Sequence, residues 1–144
     1  MIEFYMEYLE RNVIPPDAKI HLLRPGMVQL IRHSQDTSHL VFALPPHLER
    51  YQAIFIPVND SRPQLGNMGS HWSLLVFVRP AAAFYHYDSL HHGNIHEARM
   101  TTDRIAPLLQ ASHHLITMPT PNKPMARTVE SLLLQLWTDW SLSS

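Results

Sequence analysis

The 144-residue chain contains no cysteine. Disulfides and thiolate metal sites are excluded, and so is a thiol nucleophile. Glycine is scarce and proline abundant, four residues against twelve. Charge of either sign is also lacking in excess. The formal net charge is −1, with 11 Lys and Arg against 12 Asp and Glu. That balance leaves no electrostatic footprint for nucleic acid and no basic patch for a membrane surface. No apolar run approaches the length of a membrane span. The first residues, MIEFYMEYLERN, are acidic and amphipathic, unlike a secretory signal. The expectation is a cytoplasmic or nuclear protein of one domain, with no nucleic-acid or membrane partner.

What is present centres on the stretch from Ile54 to Leu90. It holds the apolar runs Ile54–Val58, Trp72–Val78 and Ala81–Tyr87, bounded by Pro, Gly, Asn and Asp. Short β-branched and aromatic runs without alternation suit strands buried on both faces. Arg79 and Pro80 break the pattern, so Trp72–Val78 and Phe84–Tyr87 read as a hairpin. His71 stands at the entrance of its first strand and Asp88 at the exit of its second. The two ends of an antiparallel pair lie at one sheet edge. If Val78 pairs with Ala83, Ser73 faces Asp88, and His71 shares their face. Diagonal neighbours are roughly 7–8 Å apart, a gap that long side chains close. A one-residue slip would separate the two. In the expected register a carboxylate can orient an imidazole and stabilise its charged form. The bland alternative is a partly exposed histidine and a turn-forming aspartate.

The residues FIPVND, GSHWSLLVFV and FYHYDSL together resemble the ubiquitin-like-protein-specific cysteine proteases, the Ulp or sentrin-specific group, and most of all its deneddylase branch. The clear similarity covers about residues 51–92. It implies an α+β fold of papain-like type, with helices on a small mixed or antiparallel sheet. It implies that His71 is the general base, that Asp88 orients it, and that Trp72 lines the channel for the modifier's tail. The implied partner is a ubiquitin-like modifier, Nedd-type or SUMO-type, and no metal or organic cofactor is implied. The family's Gln and its Asp-Cys-Gly motif, which supply the oxyanion hole and the nucleophile, have no counterpart here. Neither does its Trp-Leu-Asn-Asp segment before the first helix. The resemblance therefore suggests a protease domain incomplete at both ends, a truncated or alternative form inactive as written. A non-catalytic module that binds a ubiquitin-like protein is the other reading.

The flanking chain reads as follows. Ile2, Tyr5, Leu9 and Val13 give Met1–Val13 a helical stripe, stopped by Pro15 and Pro16. Asp17–Leu23 reads as a connector. Met27–His33 reads as a helix with Pro25 in its first turn and Met27, Leu30 and Ile31 inward. Leu40–Leu44 fits helix or strand, Tyr51–Val58 is a strand, and Asn59–Gly69 is a loop. Asn94 and Glu97 suggest a capping box for a helix carrying Ile95, Ala98, Thr102, Ile105 and Leu109, which Pro107 should kink or end. Leu115–Met118 reads as a short strand. The expected division is a partial protease domain over 1–118, a Pro-rich linker over 119–127 and a divergent helix over 128–144. That helix would carry Val129, Leu132, Leu133, Leu136, Trp137 and Trp140 on one face and cover apolar surface.

Other constellations are weaker. His91, His92 and His96 could ligate zinc, but no HExxH occurs and a solvated His-rich turn is the ordinary case. Ser73 and Ser89 lie near His71 yet open no helix, so both read as structural rather than as a replacement nucleophile. Trp72, Phe77, Phe84, Tyr85 and Tyr87 lack interleaved basic residues and read as core.

Overall fold

The computed structural model describes residues 8, 11, 19–36, 38–60, 71–88, 93–119, 127, 129, 131 and 132. Its centre is a five-stranded mixed sheet in the order β1-β2-β3-β4-β5. The strands are β1 (Ile20–Leu22), β2 (Ala53–Asn59), β3 (Trp72–Val78), β4 (Ala83–Tyr87) and β5 (Leu115–Thr117). The three central strands run antiparallel, and β1 and β5 add to them in parallel at the two edges. Parallel additions need crossovers. Helix α1 (Pro25–His33) lies on the path from β1 to β2, and α2 (Ile95–Ile105) on the path from β4 to β5.

The unbroken apolar runs explain the layering. Every residue of β2 is buried, as expected for a strand covered on both faces. On one face Ile54, Ile56, Val58, Leu75, Phe77 and Phe84 form a single core with Val28 and Ile31 of α1 and Ile105 of α2. Phe77 and Phe84 are directly paired across the hairpin, with ring centroids 4.8 Å apart. Phe55, Leu74 and Val76, which alternation sends to the opposite face, are buried as well.

Several local expectations needed correction. The connector over Asp17–Leu23 contains β1, whose three residues are too few for a period to show in the sequence. Leu30 is 47% exposed rather than inward, and Arg32 is buried in α1 instead. Leu40–Leu44 is neither α-helix nor strand: Ser38–Phe42 is a 3-10 turn that buries Leu40 and leaves Phe42 91% exposed. Pro107 does end α2, which stops at Ile105 and gives way to a 3-10 turn, Pro107–Leu109.

Arg79, which breaks the apolar pattern after β3, joins three segments. Its guanidinium donates to the carbonyls of Tyr51 at 2.9 Å, Leu48 at 3.1 Å and Leu109 at 3.5 Å. It also lies over the Phe77 ring, 5.0 Å from its centre. The Leu48 carbonyl also accepts the Tyr51 N–H at 3.2 Å, so the guanidinium bond is its second. One cation thus serves the 3-10 turn Leu48–Arg50 and the one at Pro107–Leu109. The turn between β3 and β4 closes with Ala82 N–H donating to Arg79 O at 2.9 Å, and Ala82 adopts a left-handed φ of 52°.

Of the expected terminal helices, Tyr8 and Arg11 are helical, as are Val129, Ser131 and Leu132, and Arg127, expected in the linker, is helical too. Val129 is 2% exposed. The rest of Met1–Val13, residues 61–69 of the expected loop, residues 120–126 of the expected linker, and Leu133, Leu136, Trp137 and Trp140 lie outside the described residues.

Two outcomes are expected. Truncation after Lys123 removes Val129, and burial of one such side chain contributes about 1.5–3 kcal/mol. Urea titration of the shortened protein should show a loss of at least that size, and an unchanged midpoint would contradict it. The second concerns His21, whose ring lies 5.0 Å from that of Tyr51. Burial, and secondarily the positive charge of Arg24, hold its imidazole below the ordinary histidine pKa. The unfolded chain then binds the extra proton, so the stabilisation is full above about pH 6.5 and is lost as the pH falls through the lowered value. Melts between pH 7.5 and 5 should show a steeper acid-side decline for the native chain than for His21→Phe.

Candidate active site

Both ladders around β3 end at the same sheet edge. The last β2–β3 pair is Asn59 with Trp72, and the last β3–β4 pair is Leu74 with Tyr87. The hairpin register runs through Val78 opposite Ala83. Continued one step beyond Leu74, it sets Ser73 opposite Asp88, so His71, Ser73 and Asp88 share a face. There His71 Nε2 lies 2.5 Å from Asp88 Oδ1. The two side chains are 14% and 3% exposed. A carboxylate only accepts, so Nε2 carries the proton, and the lone pair of the neutral ring is on Nδ1. A charge-assisted bond of this length holds the ring in one tautomer and one orientation.

The backbone of His71 is fixed from several sides. Its N–H donates to Asp60 Oδ1 at 3.1 Å. Its carbonyl accepts from Asp60 N–H at 3.3 Å, Asn59 Nδ2 at 3.4 Å and Asn94 Nδ2 at 3.2 Å. The buried Arg32 supports Asn59 in turn by donating to its carbonyl, and it also donates to Gln29 Oε1 at 3.3 Å. The second oxygen of Asp88 accepts the main-chain N–H of Asn94 at 2.7 Å.

The remaining candidates separate from this pair. Trp72 opens β3 and is partly exposed. Alternation sends it to the face opposite Ser73, so it borders the pair in sequence but not on the same face. Ser73 is buried, and its hydroxyl lies 2.8 Å from His86 Nε2, which occupies it in the core. Ser89, His91 and His92 lie outside the described residues, and His96 is exposed on α2. Among the described residues no group of three His, Asp or Glu is placed to hold a metal ion, and no helix is long and apolar enough to cross a membrane.

Sequence reasoning missed Asn94 and Asp60. Asn94 does precede α2, but its side chain makes no cap bond. It points back to the sheet, where Nδ2 lies 3.2 Å from each of Val58 O, His71 O and Ser73 Oγ. A capping box is a local signal, and the strand ends that outcompete it lie 21 to 36 residues away in sequence.

This arrangement of helices on a mixed sheet is the papain-like protease fold. The structure of the Xanthomonas campestris effector protein XopD bound to ubiquitin matches with a TM-score of 0.64 and 24% identity, over 91% of this chain and 70% of that one. The SUMO protease Ulp1 with its catalytic cysteine oxidised to a sulfinic acid matches with a TM-score of 0.63 and 18% identity, over 96% of this chain and 64% of that one. The model of the Ulp1 protease family, C-terminal catalytic domain, matches residues 1–130, and the chain belongs to that family. NEDD8-specific protease 2 of Schizosaccharomyces pombe is 32% identical over 127 residues, which is 85% of this chain. The chain spans 31% of the length of that relative.

Replacing Asp88 by Ala should leave the Asn94 N–H buried without its acceptor. Such a loss costs about 1–3 kcal/mol. Denaturant melts should register it, and a neutral effect would mean that the carboxylate contributes nothing to the fold of this edge.

Proposed function

We propose that the chain is a deneddylase-type protease domain that retains the acid–base half of the machinery and is hydrolytically inactive as it stands. The observation that carries this reading is the His71–Asp88 hydrogen bond in a chain without cysteine. Asp88 holds the Nε2–H, so Nδ1 is the nitrogen that would accept a proton from an attacking thiol. His71 is the base, Asp88 its orienting group, and Trp72 a contact for the substrate tail. With no thiol to deprotonate, the base has no covalent route to an acyl intermediate. Ser73 offers no substitute, because its hydroxyl is buried against His86 and Asn94. The partner is a ubiquitin-like modifier of Nedd type in preference to SUMO type, a choice supported by the NEDD8-specific relative. No cofactor enters such a reaction.

A non-catalytic role in holding a ubiquitin-like protein is the second reading, supported by the same lack of a thiol and by the partly exposed Trp72 at the edge of the site. One pair of assays covers both. Purified chain is mixed with a fluorogenic C-terminal amide of the Nedd-type modifier, and binding of the free modifier is followed by calorimetry. Turnover at background is expected. Binding that weakens on Trp72→Ala supports the holding role. Turnover above background that disappears in His71→Ala would overturn the inactive reading and reveal another nucleophile.

A further inference from the structure

We infer that Asn94 is a positioning residue for the His71–Asp88 pair, locking the main chain under His71 with its side-chain amide and the Asp88 carboxylate with its own N–H. The inference rests on reading that pair as a base and its orienting carboxylate. His71 and Asp88 both stand one step or more beyond the last rungs of their ladders. The β2 end holds His71 through Asp60, whose N–H donates to the His71 carbonyl, but the β3–β4 ladder stops short of Asp88. Asn94 is 1% exposed and reaches both. Its Nδ2 lies 3.2 Å from His71 O, and equally from Val58 O on the neighbouring strand and Ser73 Oγ. Its main-chain N–H donates to Asp88 Oδ2 at 2.7 Å, which turns Oδ1 toward the imidazole.

The amide orientation is determined by chemistry. A flip would set Asn94 Oδ1 against two carbonyl oxygens, replacing two attractions by two repulsions. In the observed orientation Oδ1 is buried and has no hydrogen-bond partner among the described residues. A residue chosen only to start a helix would place its oxygen on the first-turn N–H groups, and Asn94 does not. Its side chain serves the strand ends, and its oxygen takes no partner among the described residues.

The test follows the imidazole Nε2 proton of His71 in the full chain. A hydrogen bond from imidazole to a buried carboxylate moves that proton well downfield of the amide region. The native chain should show such a resonance, and its loss in His71→Gln and Asp88→Asn assigns it. In Asn94→Ala and Asn94→Ser, which keep the main-chain N–H but remove the amide from the His71 and Val58 carbonyls, the resonance should vanish or lose at least ~10-fold of its protection against exchange, the scale of leaving buried acceptors without a donor. Thr101→Val, which removes another buried hydrogen bond on α2, should lower the melting temperature and leave the resonance in place. If the Asn94 variants are folded and keep the resonance as Thr101→Val does, Asn94 is structural only and the inference is overturned. If the native chain shows no such resonance, the base–carboxylate reading fails and takes the inference with it. Should neither variant fold, exchange in the native chain decides. Protection of the His71 proton matching that of the Asn94 amide supports the inference, and a freely exchanging His71 proton above a protected Asn94 overturns it.

Discussion

The register of β3 against β4 is the constraint on which the rest depends. Phe77 opposite Phe84 and Val78 opposite Ala83 set it, and the left-handed Ala82 closes the turn that preserves it. Side-chain direction in a sheet has a period of two, so a slip of one residue would exchange the faces of one strand. Phe84 would leave the core shared with α1 and α2, and Asp88 would leave the face of His71. The hydrophobic contact and the polar pair are thus enforced by the same rungs. Burial of Phe77 and Phe84 supplies the energy, and the His71–Asp88 geometry follows at the far end of the ladder.

The central sheet was legible because its strands are long and apolar. Trp72–Val78 matches β3 at both ends, and β2 and β4 lie within two residues of the sequence reading at each end. The meeting of His71 with Asp88 was legible for the same reason, since register can be counted once the turn is known. What escaped was short or non-local. Strand β1 has three residues and exists only through its pairing with Ala53–Phe55. Leu30 fits the helical stripe, yet the core side of α1 is completed by Arg32, whose partner is the end of β2. Asn94 carries a strong local signal for capping, and tertiary acceptors overrode it.

Membership of the Ulp1 family and the lack of any thiol stand side by side without structural conflict. The groups that orient His71 come from the β2 end, from Asp88 and from the residue before α2, and none depends on a cysteine. The His71–Asp88 pair is therefore held by the folding requirements of the edge itself. Asp88 satisfies a buried N–H, and the His71 carbonyl gathers three donors.

The two edge strands have a consequence for association. Each is three residues long, β1 at Ile20–Leu22 and β5 at Leu115–Thr117. An exposed strand edge is a template for a further chain, and its hazard grows with its length. A peptide added beside either edge would gain few main-chain bonds before running out of partner. Among the described residues, sheet extension at either edge has little to grip.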